Sequence, residues 1–252
     1  MPVDVASHGA IRVVTINRPE RANALDGATM GAIGTAFAEA EADDAVQVVV
    51  LTGAGDKVFC AGMDLKAQGS ERVPPPGSPG LEVLMNRCYP KPVIAAVNGA
   101  AMGGGFELVM ASDLAVAADH VMFGVPEVKR GVVGAGCSTR TAVRVPPAIA
   151  FEMTLTGDPI TAHRALGLGL VNEVVPKEQV LDRAMALAGR IAANAPIALR
   201  ITKQLVWEAA GNHNAEEWAA IRAKAAPAFA SDDAREGATA FAERREPRWT
   251  GK

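Results

Sequence analysis

Two glutamates, Glu107 and Glu127, are the residues of this chain best placed to do chemistry. Glu107 follows a glycine triplet in Gly103-Gly104-Gly105-Phe106-Glu107, and Glu127 closes Phe123-Gly124-Val125-Pro126-Glu127. Two carboxylates serving one small site supply an acid and a base. A glycine-rich lead into a helix leaves unpaired backbone amides at the helix N-terminus, where the partial positive end favours a developing negative oxygen. Upstream, Cys60-Ala61-Gly62-Met63-Asp64-Leu65 follows a strand-like run and a glycine-rich turn, a second place from which an amide can face the same point. Oxyanion stabilisation with two acid/base groups is the minimum equipment for enolate chemistry on a thioester.

Each piece alone has an ordinary reading. A glycine triplet also serves close helix packing, and a first-turn glutamate is favoured by the helix dipole by a few tenths of a kcal/mol. Glu107, however, sits among Phe106, Leu108, Val109 and Met110. A carboxylate in so apolar a run is desolvated and its pKa rises, as a general acid or base requires. Glu127 follows Pro126, which suits the first position of a short helix, where a glutamate is again unremarkable. Only the constellation of both glutamates with two amide-bearing loops argues for a site. Cys60 beside the second loop invites an acyl-enzyme reading, but no His or Asp pattern marks a base for it, and a buried cysteine behaves as a small apolar residue. His120 and His163 are read as structural.

The elements that must position these groups follow from periodicity. Residues 11–17 and 46–52 are short β-branched runs closed by turn residues and read as buried strands. Between them Asp26-Gly27 opens an Ala-rich helix over 28–42, with Met30, Ile33, Ala36 and Phe37 at helical spacing. Strand, helix, strand is the order of a right-handed parallel crossover. The pattern recurs with a strand at 93–97, a helix at 104–111 and a strand at 114–117, giving successive β-β-α turns. Residues 69–80, with Pro74-Pro75-Pro76 and Pro79, fit neither ladder nor helix and are expected to form a mobile flap beside the site. Beyond about Pro146 strand signals fade apart from 170–175, and helices are expected at 181–192, 196–209, 216–226 and 232–244. That tail, with Trp207, Trp218, Phe229 and Phe241 on its faces, packs on the core or makes a subunit contact.

The 252 residues suit one α/β fold with an appendage. Apolar residues at 49% against 21% charged exclude disorder. A net charge of -3 gives no basic field for nucleic acid, so no nucleic-acid partner is expected. Cys60, Cys88 and Cys137 have no metal-ligand spacing and His8, His120, His163 and His213 do not cluster with them, so no metal is expected. The first residues lack a secretory pattern and no apolar run approaches the roughly 20 residues of a membrane span. The expectation is no membrane partner and a cytoplasmic, reducing location.

Read together, the motifs resemble the crotonase family, the enoyl-CoA hydratase/isomerase superfamily, over essentially the whole chain. The matching pieces are Asn17-Arg18-Pro19 with Asn23-Ala24-Leu25, the segment from Leu51-Thr52-Gly53 to Asp64-Leu65, Asn98 through Gly105, Phe123 through Glu127, Thr156-Gly157-Asp158 through Asn172, and the closing Asp233-Ala234-Arg235-Glu236-Gly237 and Phe241-Ala242-Glu243-Arg244-Arg245. The resemblance implies an α/β spiral of repeated β-β-α turns with a C-terminal helical trimerisation region. It divides the chain into a core carrying a CoA site, 1–191, and a C-terminal helical region, 192–252, and implies a homotrimer or dimer of trimers.

The resemblance also implies an acyl-CoA thioester substrate, with CoA part of the substrate and no separate cofactor. It assigns the oxyanion hole to the backbone amides of Met63 and Gly104. Glu107 and Glu127 match the two glutamates of family hydratases, where Glu107 would polarise a water attacking Cβ and Glu127 would deliver the proton to Cα. Lys57 and Lys66 match positions near the CoA phosphates. Ala24, Asp64 and Leu65 match the cradle of adenine and pantetheine, and Phe241 and Arg244 match residues reaching over from a neighbouring subunit. Val125 stands where well-studied hydratases carry an amide side chain, and 131–138 lacks their Pro-Gly-Ala-Gly-Gly arrangement, so the acyl pocket, shaped by Phe106, Val125 and the flap, is expected to differ. The implied activity is hydration of a 2-enoyl-CoA. A carnitinyl-CoA-type dehydratase, to which Gly-Gly-Gly-Phe-Glu is also similar, an enoyl-CoA isomerase, and a non-catalytic acyl-CoA binding protein are the alternatives.

Overall fold

The computed structural model describes residues 1–67, 69–86, 88–211 and 215–250; His213 lies outside them. Among the described residues ten strands form two sheets. The larger is ordered β1 (Val3–His8), β2 (Ile11–Ile16), β3 (Val48–Gly53), β5 (Val93–Val97), β7 (Leu114–Ala118), β10 (Glu173–Val175). The smaller is ordered β4 (Val58–Cys60), β6 (Ala100–Met102), β8 (Met122–Gly124), β9 (Ile160–Thr161). Among the described residues only the pairs β1 with β2 and β8 with β9 are antiparallel. Successive turns thus place their first strand in the large sheet and their second in the small one, as β3 and β4, β5 and β6, β7 and β8 do. That is the expected spiral of β-β-α turns.

The central strands β3 and β5 are buried at every position, which is why they read as continuous β-branched runs rather than alternating ones. Helix α1 (Gly27–Ala42) starts where Asp26 accepts the Thr29 amide at 2.8 Å. A four-residue helix α2 (Glu82–Met85) follows, and α3 (Gly104–Ala111) carries Glu107 in its first turn. Glu127 stands on a 3-10 turn, Pro126–Arg130, with Pro at its start. Next come α4 (Ala135–Arg144), α5 (Pro147–Thr156) and α6 (Ala162–Gly167), then α7 (Val180–Ala192), which packs on β3, β5 and β7. Helices α8 (Pro196–Ala209), α9 (Ala215–Ala230) and α10 (Asp232–Glu243) complete the tail.

Three expectations change. Residues 69–80 do not form a free flap; they lie along α1 as a strap. Side chains at Gly27 and Gly34 would run into the Val73 and Gly80 carbonyls, and Ser78 Oγ donates to the Gly31 carbonyl at 3.1 Å. The expected strand at 170–175 is confined to 173–175. Leu170 and Val171 are buried, but Asn172 spends its side chain on the Ala115 amide, 2.9 Å away, ahead of the ladder. Helices α4 and α5 occupy a stretch for which no helix was expected. In the tail, α9 packs on α4, and α10 packs on the turn that bears Glu127.

Candidate active site

The loop bearing Met63 is set by a short parallel bridge between Leu25 and Met63. The Leu25 amide donates to the Gly62 carbonyl at 2.8 Å and the Asp64 amide to the Leu25 carbonyl at 3.0 Å. A parallel bridge uses the groups on either side of Met63, so the Met63 amide faces the other way. Asn23 fixes this loop from beneath: fully buried, it donates to the Ala54 and Val58 carbonyls at 2.9 and 2.8 Å and accepts from the Arg18 amide. Opposite, Gly103 adopts φ 52° and ψ -125°, a conformation open to glycine, and turns the chain from β6 into α3. Gly104 becomes the first residue of the helix, where an amide has no intrahelical acceptor.

The two loops meet. A Cβ added at Gly62 would lie 3.0 Å from the Gly104 nitrogen, and one added at Gly104 would lie 3.8 Å from the Met63 nitrogen. Among the described residues neither amide donates to a carbonyl. The pair expected from the sequence is therefore brought together with both donors available.

Glu107 stands in the first turn of α3 and Glu127 on the Pro126–Arg130 turn, against the Gly103 bend that leads into Gly104. A Cβ at Gly103 would lie 3.0 Å from Glu127 Oε1, one at Gly134 2.9 Å from the same oxygen, and one at Gly136 would collide with the Glu107 carboxylate. Three glycines thus make room for two carboxylates. Burial pushes both carboxyls above their ordinary values, and the charge of Glu107 raises Glu127 further. Their neighbours differ. Glu107 has the Arg140 guanidinium, Nε to Oε1 3.8 Å, which opposes the rise. Among the described residues Glu127 has no cation beside it and its Oε2 finds no hydrogen-bond partner. The Cys137 thiol, buried against both, donates to the Gly103 carbonyl at 2.9 Å.

Sequence reasoning missed Arg140, Cys137 and the pair Gly134 and Gly136. The signal was the small-residue run 131–138 leading into α4, in which a helix turn could press its backbone onto the glutamates. Cys60 is fully buried and its thiol is pushed up to about 12 by desolvation, which leaves it inert as a nucleophile. Phe106 and Val125, expected to shape the acyl pocket, are both buried, Phe106 against Phe123 at 5.6 Å between ring centroids. Among the described residues no group of His, Cys, Asp and Glu is arranged to hold a metal, and no helix is long and apolar enough to cross a membrane.

Of the residues matched to CoA contacts, Ala24, Asp64, Leu65 and Lys66 lie on the loops joined by the Leu25–Met63 bridge, and Lys57 on the turn that Asn23 ties to them. Ala24 offers its carbonyl to Arg18 at 2.6 Å, and buried Asp64 pairs with Arg18 at 3.4 Å and accepts the Lys66 amide at 3.0 Å. Lys57, Leu65 and Lys66 are exposed. Phe241 and Arg244 are elsewhere, at the end of α10, where the Arg130 guanidinium of the same chain covers the Phe241 ring at 4.3 Å. Among the described residues no hydrogen bond or ion pair joins these two to the loop set.

Comparison with known proteins places this architecture. The model of the enoyl-CoA hydratase/isomerase family matches residues 6–252. A carnitinyl-CoA dehydratase of Salmonella arizonae is 42% identical, covering 97% of this chain and 96% of that protein. The solved structure of a carnitinyl-CoA hydratase from Mycobacterium avium matches with TM-score 0.92 at 41% identity, covering 100% of this chain and 99% of that one. An enoyl-CoA hydratase from Mycobacterium tuberculosis H37Rv matches with TM-score 0.77 at 45% identity over 100% and 99% of the two chains. These relatives bear the names of hydro-lyases, their fold is the crotonase fold seen here, and the chain belongs to the enoyl-CoA hydratase/isomerase family.

Proposed function

We propose that this chain is a hydro-lyase that interconverts a 2-enoyl-CoA thioester and its 3-hydroxyacyl-CoA by syn addition or elimination of water. The observation that carries this reading is the unlike setting of two desolvated glutamates beside two converging amides. Arg140 opposes the rise at Glu107, while Glu127 has no such cation among the described residues and is raised further by the Glu107 charge. Both carboxyls are raised, and it is this difference in their neighbours that suits Glu107 to the base role and Glu127 to the acid role.

In the hydration direction the Met63 and Gly104 amides hold the thioester oxygen. Glu107 takes a proton from the water that attacks Cβ. Negative charge gathers on the thioester oxygen as the enolate forms, and Glu127 gives its proton to Cα. Elimination runs the same steps backwards. Each oxyanion donor is worth about 3 to 4 kcal/mol of barrier in comparable sites. No electron is transferred, so the reaction calls for no group beyond the CoA of the substrate.

Lys57, Lys66 and the loop around Ala24, Asp64 and Leu65 are proposed to hold the CoA portion, with Phe241 and Arg244 closing over its adenine end from a neighbouring copy. The exposed Ile197, Ile201 and Leu205 of α8 are an apolar face suited to contact between copies in a homotrimer or dimer of trimers. Three free cysteines fit a reducing, cytoplasmic setting.

The names of the relatives from Salmonella arizonae and Mycobacterium avium favour a second, narrower reading, dehydration of a 3-hydroxyacyl-CoA whose acyl chain carries a charged end, as in carnitinyl-CoA. The test is a panel of 2-enoyl-CoA and 3-hydroxyacyl-CoA thioesters, carnitinyl-CoA among them, followed by the absorbance of the conjugated enoyl thioester. Turnover of unsubstituted chains supports the broad reading and turnover of carnitinyl-CoA alone the narrow one. Binding without turnover of any member refutes both.

A further inference from the structure

Arg140 is the cation of this site, and three parts of the chain hold it. Its side chain is 6% exposed. One terminal nitrogen donates to the Met85 carbonyl at the end of α2. The guanidinium covers the Trp218 ring of α9, with Cζ 4.6 Å from the ring centroid. Its Nε has no hydrogen-bond partner among the described residues, and 3.8 Å away lies Glu107 Oε1. A buried charged donor without an acceptor is costly. Here it is aimed at the carboxylate that the reaction needs, at a separation that can close to a hydrogen bond when substrate is bound.

The other groups facing Glu107 do not share this role. Cys137 faces it from α4, Glu127 from the Pro126–Arg130 turn, and Cys60 lies beneath Gly105 on β4. Strands β5 and β6 carry no titratable side chain. Glu82 of α2 is directed toward Gly80, and Arg144 serves the Met110 and Ser112 carbonyls at the far end of α3. Among the described residues Arg140 alone brings positive charge to the carboxylate.

Trp218 is 3% exposed and belongs to the C-terminal helical region, outside the spiral that carries the glutamates. An indole face attracts a planar guanidinium and fixes its plane. With the Met85 carbonyl holding one end, the ring leaves Nε turned toward Glu107. We propose that Trp218 is a positioning residue: by holding Arg140 in plane against Glu107 it keeps that carboxyl in the ionised form that the attacking water requires, so the C-terminal helical region sets the proton state of the site. This rests on reading Glu107 as the base toward water.

The test is a pair of pH titrations on the full chain. One follows kcat, and the other follows the Glu107 carboxyl by infrared difference against Glu107→Gln, a readout that needs no turnover. Trp218→Leu is expected to raise the Glu107 midpoint by about half a unit or more, to move the acid limb of kcat with it, and to leave KM nearly unchanged. Arg140→Gln is expected to raise it by about one unit or more. Trp218→Phe keeps an aromatic face and most of the volume and should give a smaller rise of the same sign; it decides the matter if Trp218→Leu does not fold by circular dichroism. Equal loss of turnover at every pH with an unmoved Glu107 midpoint in the Trp218 variants marks a merely structural residue and overturns the proposal. An unmoved midpoint in Arg140→Gln overturns it as well. Shifted midpoints in a protein that turns over no thioester would support the link from Trp218 through Arg140 to Glu107 while refuting the hydro-lyase reading.

Discussion

Replacing Gly136 by alanine should silence the site without unfolding it. A Cβ at residue 136 would overlap the Glu107 carboxylate; even the farther oxygen, Oε2, would stand 2.6 Å away, where ordinary contact begins at 3.4 Å. The obstructing atoms are the far end of a rotatable side chain, so Glu107 yields rather than the backbone. Holding it about 30° off its rotamer costs about 0.5–1.5 kcal/mol. Alanine in place of glycine inside α4 returns up to about 1 kcal/mol of helix propensity. The two nearly cancel, and Tm should stay within roughly 4 °C of the parent. Activity has no such compensation. A displacement of about 1 Å costs on the order of a hundredfold, and loss of a general base costs 10² to 10⁴. The assay is hydration of a 2-enoyl-CoA beside thermal unfolding and a CoA-binding titration. Turnover near the parent value in Gly136→Ala would show that the Glu107 carboxylate is not needed where the structure puts it.

Glu127→Gln should abolish most turnover and also change stability with pH. Burial holds the Glu127 carboxyl above its unfolded value, so the native state binds the extra proton and parent stability falls as pH rises between the two. The glutamine variant, which does not titrate, should therefore unfold at higher temperature than the parent at pH 8 and lose that advantage below the ordinary glutamate range; the opposite order would contradict the assigned burial. Gly104→Pro removes an oxyanion donor at the first position of α3, where proline is tolerated, so circular dichroism should persist while turnover drops by two to three orders of magnitude, about 3–4 kcal/mol. Light scattering at micromolar concentration should find at least a trimer, and a monomer would remove Phe241 and Arg244 from any shared CoA site.

The long elements were legible because burial writes itself into composition. β3 and β5 are runs of β-branched and small residues buried on both faces, and α1 shows its core face at helical spacing. Strands β4, β6 and β8, three residues each, are too short to show a period. Helices α4 and α5 hide behind the glycines of 131–136 and the prolines at 146 and 147, which read as breakers although proline at a helix start is permitted. The strap over α1 was misread because its fit depends on glycines at 27, 31 and 34, a spacing whose meaning appears only when something lies on that helix face.

Of the proposed site, Glu107 stood out in the sequence by its apolar run, Glu127 only as part of the constellation, and the Met63 and Gly104 amides by their glycines together with the family resemblance. Arg140 did not. An arginine in a run of small polar residues looks solvated until α2, α3 and α9 are placed around it, and its role depends on Met85 and Trp218, which are 55 and 78 positions away in sequence. Long-range contact of this kind leaves no local pattern.

The most direct measurement is a crystal structure with an unreactive acyl-CoA analogue bound. The account predicts the thioester oxygen at about 2.7–3.1 Å from both the Met63 and the Gly104 nitrogens, with Cα toward Glu127 and the water position beside Glu107. A thioester oxygen directed away from these amides, or a Cβ that neither glutamate can reach through one water, would contradict it.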